Sequence, residues 1–185
     1  MNQSGDIHDV DSLMAAIRDG CRPTYLFFWG HTPNGPSLGK HVLSQWWPAT
    51  FSLDDQSYPT AEHYMMAEKA RLFGDADTCA QILATTDPAR AKALGRQVRG
   101  FSDERWAKER VAIALRANTA KFGQNAGLKD WLIGTKDAVV VEASPVDRIW
   151  GIGLAADDKR ATNPETWRGL NLLGFALMKV RSSLQ

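Results

Sequence analysis

Cysteine is scarce in this chain. Cys21 and Cys79 are the only two, and neither sits in a C-x-x-C pair. That rules out a disulfide framework and a thiolate-rich zinc site, and it suits a reduced, cytoplasmic protein. Histidine is equally sparse, and His8, His31, His41 and His63 show no metal-ligand spacing. No run approaches the ~20 apolar residues that a membrane span needs. The first residues, MNQSGDIHDVDS, are polar and acidic and lack the apolar core of a signal peptide. Net charge is only +1, so no overall field draws the chain to nucleic acid or to an anionic membrane. A local basic groove is compatible with that balance. Nucleotide fingerprints are missing too. Gly151-Ile152-Gly153 has no third glycine at the Rossmann position, and there is no G-x-x-x-x-G-K-[ST] run and no G-x-S-x-G elbow. We therefore expect no metal and no cofactor.

What is present is a chain of 185 residues with 44% apolar content, enough for one domain with a real core. Asp11 to Asp19 reads as a short helix stopped by Gly20. Tyr25 to Trp29 is an aromatic strand, followed by a turn-rich loop from His31 to Gly39. Leu43 to Leu53 looks extended, and Asp54-Asp55 turns it into a second short strand at Gln56 to Tyr58. From Thr60 the period becomes helical, with Thr60 as cap and Gly74 as stop. Further helices start at Asp87-Pro88, at Ser102 (running toward Phe122) and at about Asn125. A strand at Ala138 to Val141, an acidic loop, a polar insertion at Ala155 to Glu165 and a last helix from about Leu170 to Ser183 complete the chain. The expected fold is α+β: one helix-rich domain with a small β-sheet.

Two constellations stand out. On the helix after Thr60, Glu62, Met66, Lys69 and Phe73 fall within about 60° of one another at 100° per residue. Two charges thus interrupt an apolar stripe. They lie roughly 10 Å apart along the axis, too far for a direct ion pair and far enough to admit a ligand. The alternative is that each charge has its own structural partner. The second constellation is Val141 to Gly153, where Asp147, Trp150, Gly151 and Gly153 sit on a loop rooted in a buried strand. A carboxylate beside an aromatic suits a nucleobase or a ribosyl group. Asp147 after Pro145-Val146 also suits a plain turn, and Trp150 a core position. Trp106 has hydrophobic-staple spacing from Phe101. Asn171 can cap the last helix, and Arg96 can meet either helix-end carbonyls or a phosphate. Carboxylates, a lysine, aromatics and glycines fit metal-free cleavage of a glycosidic bond.

Taken in order, several stretches closely resemble the NADAR family, also called YbiA-like N-glycosidases. They are Tyr25 to Trp29, Leu43 to Pro48, Tyr58 to Tyr64 with Lys69, Ala93 to Arg96, Trp106, Glu142 to Gly153 and Asn171 to Met178. The resemblance implies a catalytic domain over residues 24–185, preceded by a helical extension at 1–23. It implies hydrolysis of a C–N bond at a ribosyl C1′. Two substrate classes go with it: ADP-ribose on guanine bases, in nucleotides or nucleic acid, and phosphorylated ribosylamino-pyrimidine intermediates of riboflavin synthesis. Glu62, Lys69 and Asp147 are the implied catalytic residues, with Trp106, Trp150, Gly151, Arg96 and Asn171 as substrate-binding ones. A non-catalytic ADP-ribose or NAD reader is the competing class. It would need the aromatics and Arg96 but no acid–base set. The loop at His31 to Lys40 and the insertion at Ala155 to Trp167 are long for the family. With Lys40, Lys159, Arg160 and Trp167 they favour the larger ADP-ribosyl substrate.

Overall fold

The computed structural model describes residues 7–185. The first six residues of the polar N-terminal segment lie outside the described residues. Among those described are seven α-helices and two small two-stranded sheets, an α+β, helix-rich fold as expected. The chain forms two compact units. One runs up to Ser44 and resumes at Gly127–Gln185, and the other is Gln45–Ala126.

In the first unit, α1 (Val10–Arg18) is opened by a capping box between Asp9 and Ser12. Gly20, at φ +96°, lets the chain leave the helix. Strand β1 (Tyr25–Phe28) pairs in parallel with β4 (Val139–Glu142), with Phe28 opposite Glu142. Val139, Val140 and Val141 are all buried, as an unbroken β-branched run predicts. Helix α6 (Ala126–Gly134) precedes β4, and α7 (Leu172–Leu184) packs on it. Arg181 of α7 donates to the Thr135 hydroxyl and the Ala138 carbonyl, both at 2.9 Å, closing the turn before β4. Helix α7 begins two residues later than expected because Asn171 is left-handed, at φ 51°.

In the second unit, β2 (Phe51–Leu53) and β3 (Gln56–Tyr58) form the expected hairpin. Asp54 and Asp55 turn it with φ of 51° and 60°, the positive pair that matches strand twist. The strand is much shorter than the expected Leu43 to Leu53. Lys40–Leu43 is a 3-10 turn, and the next residues bend. The Gln45 carbonyl accepts the Glu62 N–H at 3.0 Å, and its side chain exchanges two 3.0 Å hydrogen bonds with buried Asn118. Residues that look extended are therefore held by helices and not by a strand partner.

Helix α2 (Ala61–Leu72) packs against α3 (Ala76–Ala84), α4 (Pro88–Gly95) and α5 (Asp103–Gly123). Sequence reading overlooked α3. Asp75 caps it by accepting from Thr78, and the same carboxylate takes Arg99 Nη2 at 2.6 Å. Gly95 gives Met66 of α2 the room that any side chain would fill. Tyr58, Tyr64 and Phe51 complete the core, with the two tyrosine rings edge-on at 5.0 Å.

Lys121 of α5 is 0% exposed, and its ammonium lies 5.0 Å from the centre of the Phe122 ring. Burial pushes it from its usual 10.5 down to about 7. Between those values the unfolded chain binds more protons than the folded one, so stability rises with pH across that window. We expect the unfolding free energy of the wild type, measured against Lys121→Met, to rise from pH 7 to about pH 9. A difference independent of pH would show that Lys121 stays charged when buried.

Candidate active site

Within the Gln45–Ala126 unit, α2 carries Glu62 and Lys69. Thr60 starts the helix: its hydroxyl lies 2.8 Å from His63 Nδ1 and accepts the His63 N–H at 3.4 Å. Glu62 sits in the first turn, only 6% exposed, with its N–H held by Gln45. The stripe that the spacing describes is thus buried at Glu62 and half-buried at Met66, Lys69 and Phe73.

Lys69 lies nearer the other end of the same helix and is half-buried. Its ammonium is 4.1 Å from the centre of the Phe101 ring and 5.6 Å from that of Trp106. Two aromatic faces attract the cation. Burial works the other way and lowers the pKa, as does Arg96 more weakly; Asp103 and then Glu62 oppose the shift. The small influence of Glu62 agrees with its separation from Lys69 along the helix. The net shift is downward, which favours a nucleophilic amine and suits a desolvated phosphate ligand.

Phe101 and Trp106 flank the Ser102 cap of α5, as the staple spacing describes. Both rings also meet Lys69, and Phe101 meets Phe73 edge-on at 5.3 Å. Sequence reading missed Phe101 as a wall of this amine cage and Asp103 as the acid acting most strongly on Lys69. The available signal was an aromatic placed directly before a helix cap. Arg96 ends α4, with its N–H on the Lys92 carbonyl and its side chain exposed.

In the other unit, the loop after β4 closes on itself. Asp147 Oδ1 accepts the N–H groups of Ile149 and Trp150, both at 2.8 Å, and the Ser144 hydroxyl accepts the Asp147 N–H at 3.2 Å. The turn reading of Asp147 is real, and it leaves Oδ2 as the oxygen able to face a ligand. Trp150 is half-buried, neither core nor fully exposed. A methyl group at Gly151 would lie 2.7 Å from the Glu142 carbonyl and 3.1 Å from Ser144 Cβ. Glycine is required there by close backbone approach. Asn171 does not cap α7 with its side chain. It is fully buried, takes the Glu142 N–H at 2.9 Å and gives a hydrogen bond to the Val140 carbonyl at 2.9 Å. Glu62, Lys69, Arg96 and Trp106 thus belong to one unit, and Asp147, Trp150, Gly151 and Asn171 to the other. Among the described residues, no three His, Cys, Asp or Glu side chains gather as metal ligands would. No helix among them is long and apolar enough to cross a membrane.

The NADAR domain model matches residues 27–185. The chain is 42% identical over 166 residues to N-glycosidase R617 of Acanthamoeba polyphaga mimivirus, covering 87% of this chain and 96% of that protein. It is 30% identical over 174 residues to Riboflavin biosynthesis protein VVA0006 of Vibrio vulnificus (strain YJ016), covering 94% of this chain but 42% of that longer protein. The NMR structure of the E. coli protein YbiA is similar with a TM-score of 0.71 and 26% identity, over 89% of this chain and 86% of that one.

Asn171 fills a left-handed position and satisfies two buried backbone groups of β4. Asn171→Ala should lower the unfolding free energy by about 3 kcal/mol, read from the denaturant midpoint at unchanged slope. A variant as stable as the wild type would mean that β4 finds other partners for those groups.

Proposed function

The chain belongs to the NADAR family, and we propose that it is an N-glycosidase that removes ADP-ribose from guanine bases, in nucleotides or in nucleic acid. Membership over nearly the whole chain, with close likeness to a protein named as an N-glycosidase, carries the reaction type. Residues 24–185 are the proposed catalytic domain and 1–23 a helical extension. The ADP-ribosyl substrate is supported by the insertion at Ala155 to Trp167, an ordered structure of its own. Trp167 Nε1 donates to the Ala161 carbonyl at 2.8 Å, and Arg160 grips Asp158 with two hydrogen bonds. A small monophosphate needs no such addition. The second reading, a phosphorylated ribosylamino-pyrimidine of riboflavin synthesis, is favoured by the name of the Vibrio relative.

In the proposed reaction the C1′–N bond breaks with its electron pair going to the nitrogen. Positive charge develops at the sugar carbon, water adds there, and its proton ends on the departing base. Glu62 is the group we assign to take the proton of water, and its burial keeps competing solvent away. Asp147 Oδ2 is assigned to the developing positive charge, and Trp106 and Trp150 to stacking. Gly151 and Asn171 act through the shape of the Asp147 loop. Arg96 is assigned to a phosphate. For Lys69 two roles stand: a cation for phosphate, or an amine that adds to C1′ of the ring-opened sugar, expels the base with the C1′–N electron pair and forms a Schiff base that water then hydrolyses to the free sugar. A reader without catalysis would have no use for a buried carboxylate and a pKa-lowered lysine on one helix face.

Incubation with ADP-ribosylated guanosine and, separately, with ribosylamino-pyrimidine phosphate, with products read by mass spectrometry, tests the reading. We expect faster release of guanine-containing product, and a faster pyrimidine reaction would make the second reading the correct one. Glu62→Gln should lower kcat ~10²–10⁴-fold with normal melting; full activity would make Glu62 structural. Borohydride added during turnover should leave a sugar-derived mass on the Lys69 peptide if the amine is the nucleophile. Lys69→Arg would then be inactive, because a guanidinium keeps the charge but does not attack. An Arg variant with most of its activity would leave the phosphate role.

A further inference from the structure

The loop from Arg148 to Gly153 is laced to the segment that leaves the insertion. Arg168 donates its N–H to the Ile152 carbonyl at 2.9 Å, and Leu170 to the Arg148 carbonyl at 3.0 Å. Gly169 makes this approach possible, since a methyl group there would lie 2.7 Å from Arg148 Cα. One result is that two arginines flank Gly153. A methyl group at Gly153, which stands at φ +67°, would be 3.0 Å from Arg168 Cβ and 3.1 Å from Arg148 Cγ. Both side chains are exposed, and neither takes part in an ion pair among the described residues. Asp158, on which Arg168 has a minor influence, is already held by Arg160 at 2.6 Å. Backbone bonds therefore hold the stems of two arginines on either side of one glycine, and neither guanidinium is in an ion pair among the described residues. A multiply charged anion at that glycine is attracted by both guanidinium groups.

We propose that Arg148 and Arg168 form an anion subsite for the phosphate or diphosphate of the substrate, on the loop that carries Asp147. The inference rests on the N-glycosidase reading for the identity of the anion and on geometry alone for the existence of the subsite. Two guanidinium forks suit a diphosphate, whose oxygens accept paired N–H donors. It also corrects the expectation for the insertion. Arg160, one of the four residues of the loops expected to favour the larger substrate, is committed to Asp158, while Arg168 at the exit of the insertion is available.

The test uses the full chain and the variants Arg148→Gln, Arg168→Gln and the double variant, each checked by melting temperature. Inorganic pyrophosphate and ADP-ribose are titrated calorimetrically, and KM and kcat are measured on the substrate that the wild type turns over. We expect each single change to weaken pyrophosphate and ADP-ribose about tenfold, and to raise KM by a similar factor with kcat nearly unchanged. Arg168→Lys should recover part of the loss. Unmodified single-stranded oligonucleotide is the other source of phosphate. If the variants weaken its binding and spare ADP-ribose, the pair serves a nucleic-acid backbone and the substrate subsite is wrong. Unchanged binding of both pyrophosphate and ADP-ribose in the double variant overturns the proposal. If the wild type hydrolyses no ribosyl substrate, the N-glycosidase reading fails, while the pyrophosphate titration still decides the subsite.

Discussion

The two hydrogen bonds between the Asn171 side chain and the β4 backbone hold the Asp147 loop at its root. Strand β4 is buried, so its backbone groups must be paired within the protein. One edge is taken by β1. Asn171 supplies part of the other, and can do so only because its backbone is left-handed and aims the side chain back at the strand. Gly174, one turn later, has no room for a side chain between Val140 and Asn171. Strand, loop and helix start are thereby tied into one rigid corner. The Asp147 carboxylate is displayed from this corner and is fixed further by the two N–H groups that Oδ1 accepts.

The amine on α2 depends on a different balance. Aromatic rings on one side stabilise charge, while exclusion of water penalises it. Exclusion of water is the stronger influence and lowers the pKa, while Asp103 and Arg96 act in opposite directions. A group bound beside Lys69 adds to this balance. An anion would pull it toward ammonium, and an apolar base or a sugar carbon toward amine.

What was readable in the sequence follows from the range of the interactions involved. Glu62 and Lys69 were visible because helical periodicity is local. The caps at Thr60 and Ser102 and the Asp54-Asp55 turn were visible because each is settled within four residues. The bend after Leu43 was not, since its hydrogen bonds go to Glu62 and Asn118, far along the chain. Helix α3 was missed because its cap, Asp75, follows directly on the glycine read as a stop. Asn171 and Gly151 were matched by family pattern, but their reasons, a strand edge and a carbonyl too close for a methyl group, exist only after folding. The Arg148 and Arg168 pair was invisible for the same reason.

The lacing between Arg148–Gly153 and Arg168–Leu173 brings the two ends of the intervening excursion together at hydrogen-bond distance. Residues between those ends form a closed detour whose length is decoupled from the scaffold. Lengthening a loop with fixed ends adds little entropy cost, about 0.6 kcal/mol for each doubling. That makes the detour a graft point, where a lineage can acquire or discard new surface while the corner beneath it keeps its shape.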